Sequence, residues 1–244
     1  MYKHELHSLQ SGKPAELVDQ LYKLPAGSNY KRGYKAPNDI ANIVALNSIA
    51  KYWPNCKLIV GVRHPVAWFE SFYNFRFRKN FTMPPAESLI GNCTSKPFCT
   101  AAAAFHLTLN LLGKTNQTTP EENMLLTPLP SKVPACAPLH NQVFLYDVKQ
   151  IHDEDEARSY KYRRDLGNFL GLKHELPPIG HNHTSRNHKY DLDICENRYQ
   201  TLRQALMDVA KPASEWIRTY FIQSPEVYVS SREYFNELLL EWLE

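Results

Sequence analysis

Arg63 and Ser71 lie in KLIVGVRHPVAWFESFY (57–73), the arginine closing an apolar run and the serine set within an aromatic-rich one. An arginine at the carboxyl end of a strand can grip two oxygens of a phosphate with its planar fork of donors. A helix starting at His64 or Pro65 points its free amide groups at the same crevice, and these favour an anion. At about 100° per residue, Val66, Phe69, Phe72, Tyr73 and Phe75 share an apolar arc, with Ala67, Glu70 and Asn74 opposite. Ser71 falls on the border. A border hydroxyl can reach a ligand held along the helix flank, or bond the carbonyl four residues back.

Other chemistry-bearing residues are less orderly. The segment HNHTSRNHK (181–189) holds Arg186, Lys189 and three histidines, His181, His183 and His188. No acidic or cysteine partner stands at ligand spacing from them, so no metal site is expected. The five cysteines form no CxxC pair; Cys93 and Cys99 close a short loop that is either bridged in an oxidising compartment or left as buried thiols. Arg76 and Arg78 either line a groove for an anionic sugar chain or face solvent. Trp68, Phe69, Phe72, Tyr73, Phe75 and Phe77 read as core packing rather than as a base-stacking surface.

The elements that must position these residues follow from apolar spacing and caps. Helices are expected over 14–24, over 38–52 with Asn38 as N-cap, from Pro65 to about Arg78, over 100–113 ending on Gly113, and over 156–171. A long helical region from about 194 to 221 is expected to break near Pro212, and a last helix to open on Ser230 and Glu233 as a capping box. Strands are expected at 57–62 and 142–148. Residues 114–141, rich in Thr, Pro and Asn, read as a long surface excursion. Strands interleaved with helices argue for an α/β layered domain, although two strands fall short of a stable sheet.

Length and composition bound the rest. With 244 residues, 43% of them hydrophobic, the chain can bury a sizeable core. A formal net charge of +3 gives no footing for a nucleic-acid partner. No stretch approaches the roughly 18 consecutive apolar residues of a spanning helix, and MYKHELHSLQSGKP has no apolar signal core. Asn80, Asn92, Asn116 and Asn182 stand in Asn-x-Ser/Thr triplets, a slight pointer to the secretory pathway.

Arg-x-Pro with a serine eight residues after the arginine, on a strand-to-helix junction, resembles the 3′-phosphate-binding segment of sulfotransferases that use 3′-phosphoadenosine 5′-phosphosulfate (PAPS). KRGYKAPNDI (31–40) resembles the Glu-Lys-Ser-Pro type segment of Golgi carbohydrate sulfotransferases, with Lys35 and Pro37 in the corresponding places. VFLYDV resembles the strand leading into an acidic Glu-Asp-Leu, and RDLGNFLGL (164–172) the helix ending in Phe-Leu-Gly. The resemblance covers residues 31–190. It implies one domain over 1–244 with a P-loop-NTPase-like, three-layer parallel sheet, closed by C-terminal helices over 191–244. It further implies sulfuryl transfer from PAPS to a hydroxyl or amine of a carbohydrate-like acceptor without a metal. Arg63 and Ser71 would hold the 3′-phosphate of the donor, and of the product 3′-phosphoadenosine 5′-phosphate (PAP). Lys35 would lie near the transferred group. Arg186 and Lys189 would sit in a loop closing over the nucleotide. His64 departs from the family's usual Asp.

One family motif has no match, the Lys-Ser/Thr-Gly-Thr loop that cradles the 5′-phosphosulfate. SGKPAELVDQL (11–21) has a Gly-Lys pair, but no apolar strand precedes it, and Pro14 removes an amide that such a cradle would use. The expectation is an N-terminally incomplete sequence lacking the first central strand and a signal anchor that would place it in the Golgi. The alternative is an inactive sulfotransferase-like protein that binds nucleotide or partners. The general base has no counterpart, since Pro37 stands where cytosolic relatives carry a histidine.

Overall fold

The computed structural model describes residues 7–25, 31–115, 139–178 and 191–244. Three strands, β1 (Leu58–Val62), β2 (Val143–Asp147) and β3 (Val227–Val229), pair in parallel in that order. Leu58 stands level with Val143 and Val62 with Asp147, so β1 and β2 end together. Parallel neighbours need long crossovers. Those between β1 and β2 carry α3 (Pro65–Arg78) and α4 (Phe105–Asn110). Those between β2 and β3 carry α5 (Val148–Ile151), α6 (Glu156–Leu170) and α7 (Gln200–Thr219). Ahead of the sheet lie α1 (Pro14–Tyr22) and α2 (Ile43–Tyr52), and α8 (Arg232–Leu240) follows it.

Alternation along the strands sorts side chains onto two faces. Val62, Val143, Leu145 and Val227 join the main core with Leu46, Ile49, Ala213, Ile217, Phe235 and Trp242. Phe144 and Tyr146 point the other way, onto Tyr162 and Phe169 of α6. Helices thus cover both faces, and the chain is a mixed α/β structure with a small parallel sheet. Cover of the second face stops short of β1, where Ile59 stays 46% exposed. A second core, built on Phe69, Leu89, Phe98, Leu192, Leu202 and Leu206, ties α3 to α7.

Several local expectations are corrected. Helix α2 starts at Ile43, not 38. Pro37–Ala41 forms a separate 3-10 turn, and Asn42 rather than Asn38 caps α2 by accepting from the Ala45 amide at 2.9 Å. The 100–113 stretch divides into a 3-10 turn, Thr100–Ala103, and α4. Helix α7 runs unbroken through Pro212. Pro212 and Asp208, whose carbonyl loses its amide partner, both face solvent, so water can satisfy the orphaned oxygen. No capping box opens α8. Ser231 is the cap, with φ +48°, while the buried Ser230 hydroxyl bonds the Asp165 carboxylate at 2.8 Å. The third strand, VYV, escaped the sequence reading because it is only three residues long.

Candidate anion-binding site

The carboxyl ends of β1 and β2, the first half of α3 and the C-terminal segment enclose an open cleft of about 690 Å³. Arg63 leaves β1 directly into it, and Ala67 and Ser71 follow along the same flank of α3. The spacing of four within α3 puts Ala67 and Ser71 on one line, with Ser71 one turn, or about 6 Å, beyond Ala67, while Arg63 reaches the same cleft from the end of β1. The alanine leaves room between guanidinium and hydroxyl. Ser71 is exposed, so its hydroxyl is open to a ligand.

Three Arg or Lys side chains line this cleft. Arg158 is clamped by Asp153 at 2.6 and 2.9 Å and lies over the Tyr234 ring at 4.3 Å. Lys149 is paired with Glu241. Arg63 has no hydrogen bond or ion pair among the described residues. Burial pulls its pKa down, while the charges of Glu70 and Asp147 act in the opposite direction. It still carries its charge at any ordinary pH.

His64 has a structural role. Its Nδ1 accepts from the Val66 amide at 3.2 Å, capping α3. The ring also bonds the Glu241 backbone and meets Trp242 edge-on at 6.3 Å. Accepting through Nδ1 requires the neutral ring, and burial lowers its pKa accordingly. This cap limits the helix terminus as an anion site. Pro65 has no amide, Val66 gives its own to His64, and Ala67 retains the remaining first-turn donor.

Asp147 is the site residue that the sequence reading missed. It ends β2 and is 2% exposed, and its carboxyl lines the cleft while accepting from the Lys149 amide at 2.8 Å. Burial pushes its pKa up to about 6, against the lowering effects of the Lys149 amide and charge and of Arg63; Glu241 adds to the rise. The partial signal in the sequence was an acid closing the second apolar strand, since open α/β sheets bind ligands at the carboxyl ends of their strands; that it stands level with the end of β1 comes from the register.

Asn74 is also misjudged by periodicity. It is buried, and its amide bonds both the carbonyl and the N–H of Leu192, at 2.9 and 2.8 Å. Glu70 accepts from the Ile194 amide at 3.1 Å. The face of α3 expected to be polar is therefore a docking edge for 192–194, while Phe75 of the supposed apolar arc is 51% exposed.

Lys35 is exposed, in the extended stretch before Pro37–Ala41, and does not line the cleft. Arg186, Lys189 and the three histidines beside them lie outside the described residues. Arg78 pairs with Asp191, and Arg76 stacks on Phe81 at 4.5 Å; neither lines the cleft. Cys93 and Cys99 are bridged, with Cα atoms 5.1 Å apart, which settles the open choice for that pair. Among the described residues no cluster of three or more His, Cys, Asp or Glu could hold a metal, and no helix is long and apolar enough to cross a membrane. Comparison with protein-family models, curated proteins and solved structures finds no significant match in any of the three.

Proposed function

We propose that this chain is a PAPS-dependent sulfotransferase domain of P-loop-like organisation, acting on a hydroxyl or amine of a carbohydrate-like acceptor. Arg63 and Ser71 hold the 3′-phosphate of the donor. The observation that supports this most is Arg63 itself, a half-buried guanidinium without an ion pair among the described residues, in one cleft with Ser71. A phosphate there takes two charge-assisted bonds from the guanidinium, one from the Ser71 hydroxyl and one from the Ala67 amide.

Transfer breaks the bond between sulfur and the oxygen bridging it to the 5′-phosphate, and forms one from sulfur to the acceptor oxygen or nitrogen. The acceptor's proton leaves to a base. By analogy with phosphoryl transfer, the protein contributes mainly position and charge stabilisation. The Cys93–Cys99 bridge fits an oxidising lumen such as the secretory pathway.

Lys35, away from the cleft, favours a second reading: a nucleotide-binding protein without transfer activity. Radiolabelled PAPS offered with a panel of carbohydrate acceptors separates the two. Label transfer by wild type, lost in Arg63→Ala, supports the enzyme. Absence of transfer by a chain that binds PAP supports the second reading.

A further inference from the structure

Asp147 poses a problem for any anion held by Arg63. A carboxylate ends β2 level with Val62, one residue before Arg63, and both side chains line one cleft. No ion pair within reach joins them among the described residues, yet each feels the other's charge. Burial outweighs the groups that hold the charge of Asp147. Arg63 and His64 approach from the β1–α3 junction, and His64 is neutral. Lys149 and His152 come from α5 and the turn after it, but the Lys149 ammonium is engaged by Glu241. Arg158, at the start of α6, is held by Asp153, and Tyr234 and Glu241 close the C-terminal side. A phosphate entering this space adds negative charge beside a carboxyl that is already reluctant to ionise.

We propose that Asp147 is a further binding residue of this site, carrying a proton and donating it in a hydrogen bond when a phosphate seats at Arg63, so that donor binding takes up a proton. This rests on the reading of Arg63 as the 3′-phosphate site. The coupling is reciprocal: the factor by which protonation strengthens phosphate binding is the factor by which phosphate raises the Asp147 protonation constant. With coupling of about one pK unit, the deprotonated site binds about tenfold more weakly than the protonated one.

The test is calorimetric titration of PAP into wild type and Asp147→Asn at pH 5 and pH 7.5. Asparagine keeps the cap on α5, and comparing the two proteins cancels the titration of the ligand's own phosphates and of the groups that both proteins share. The variant is expected to bind about eightfold tighter than wild type at pH 7.5, and equally at pH 5. A carbon-13 titration of the Asp147 carboxyl in wild type reads the same coupling without a substitution, and its midpoint should rise when PAP is added. Equal affinities at both pH values, a variant weaker at both, or an unmoved midpoint overturns the proposal and leaves the Arg63 reading standing. A folded wild type that binds no PAP at either pH overturns both.

Discussion

Gly61 sits one position before the end of β1, and its place in the strand has a specific cause that can be measured. A Cβ there would lie 2.7 Å from both Cζ and Oη of Tyr146, closer than real Cβ contacts come. Tyr146 stands opposite Gly61 on β2 and is backed by Tyr162, ring centroids 6.0 Å apart, so its ring has no easy retreat. Gly61→Ala should therefore incur an overpacking cost of about 1–3 kcal/mol. Restricting the unfolded chain offsets about 0.4–1 kcal/mol of this. In a chain of this size each net kcal/mol lowers Tm by about 2–4 °C. The discriminating assay is a urea-denaturation cycle with Tyr146→Val, which removes the ring. In that background Gly61→Ala should become stabilising by about 0.4–1 kcal/mol, giving a coupling of about 1–3 kcal/mol. Additivity within about 0.5 kcal/mol would refute the idea that the tyrosine ring dictates glycine here.

Asp147 also predicts a pH dependence of stability. Its folded pKa, about 6, lies above the ordinary 3.8, so between these values the native state holds a proton that the unfolded chain has lost. Stability therefore falls as pH rises through that window, by at most about 3 kcal/mol. Asp147→Asn should match wild type near pH 4 and exceed it at pH 7.5 in parallel thermal melts. Reducing the Cys93–Cys99 bridge, which closes a separation of 6 residues, should cost about 2 kcal/mol on loop-entropy grounds. Denaturant titration with and without reductant checks this, with Cys93→Ser/Cys99→Ser as control. Glu226→Ala should destabilise by about 1–3 kcal/mol, because among the described residues the fully buried Lys114 ammonium then keeps only the Leu139 carbonyl. Adding Lys114→Met to Glu226→Ala should recover part of that loss in the same denaturation assay.

How much of this was legible in the sequence depended on whether the deciding forces were local. Helix α3 appears with the expected bounds, Pro65–Arg78, because proline at the first position and basic residues in the last turn are local signals. Strands β1 and β2 were visible as continuous apolar runs; β2 is buried on both faces as such a run predicts, whereas Ile59 of β1 stays exposed. Asn42, Asn74 and Ser230 were not. Asn42 shows its capping role only once the separate Pro37–Ala41 turn is seen, Ser230 bonds the Asp165 carboxylate, 65 residues away, and Asn74 bonds the Leu192 backbone, 118 residues away in sequence. Pro212 misled because a proline inside a helix costs one hydrogen bond and local strain, a cost that the packed face of α7 outweighs where water can take the freed Asp208 carbonyl. At the site, the Arg63–Ser71 pair came from spacing alone and reappears in one cleft. Asp147 needed the strand register, which no local pattern reveals, and the placement of Lys35 outside the cleft needed the tertiary fold.

The most direct test of the central claim is calorimetric titration of PAP into the wild-type chain and Arg63→Ala at neutral pH. Wild type should bind one PAP per chain. The variant should bind at least ~100-fold more weakly, since two charge-assisted hydrogen bonds of about 1.5–3 kcal/mol each are lost. A variant that binds PAP as tightly as wild type, or a folded wild type that binds none, would contradict the assignment of this cleft as the donor site.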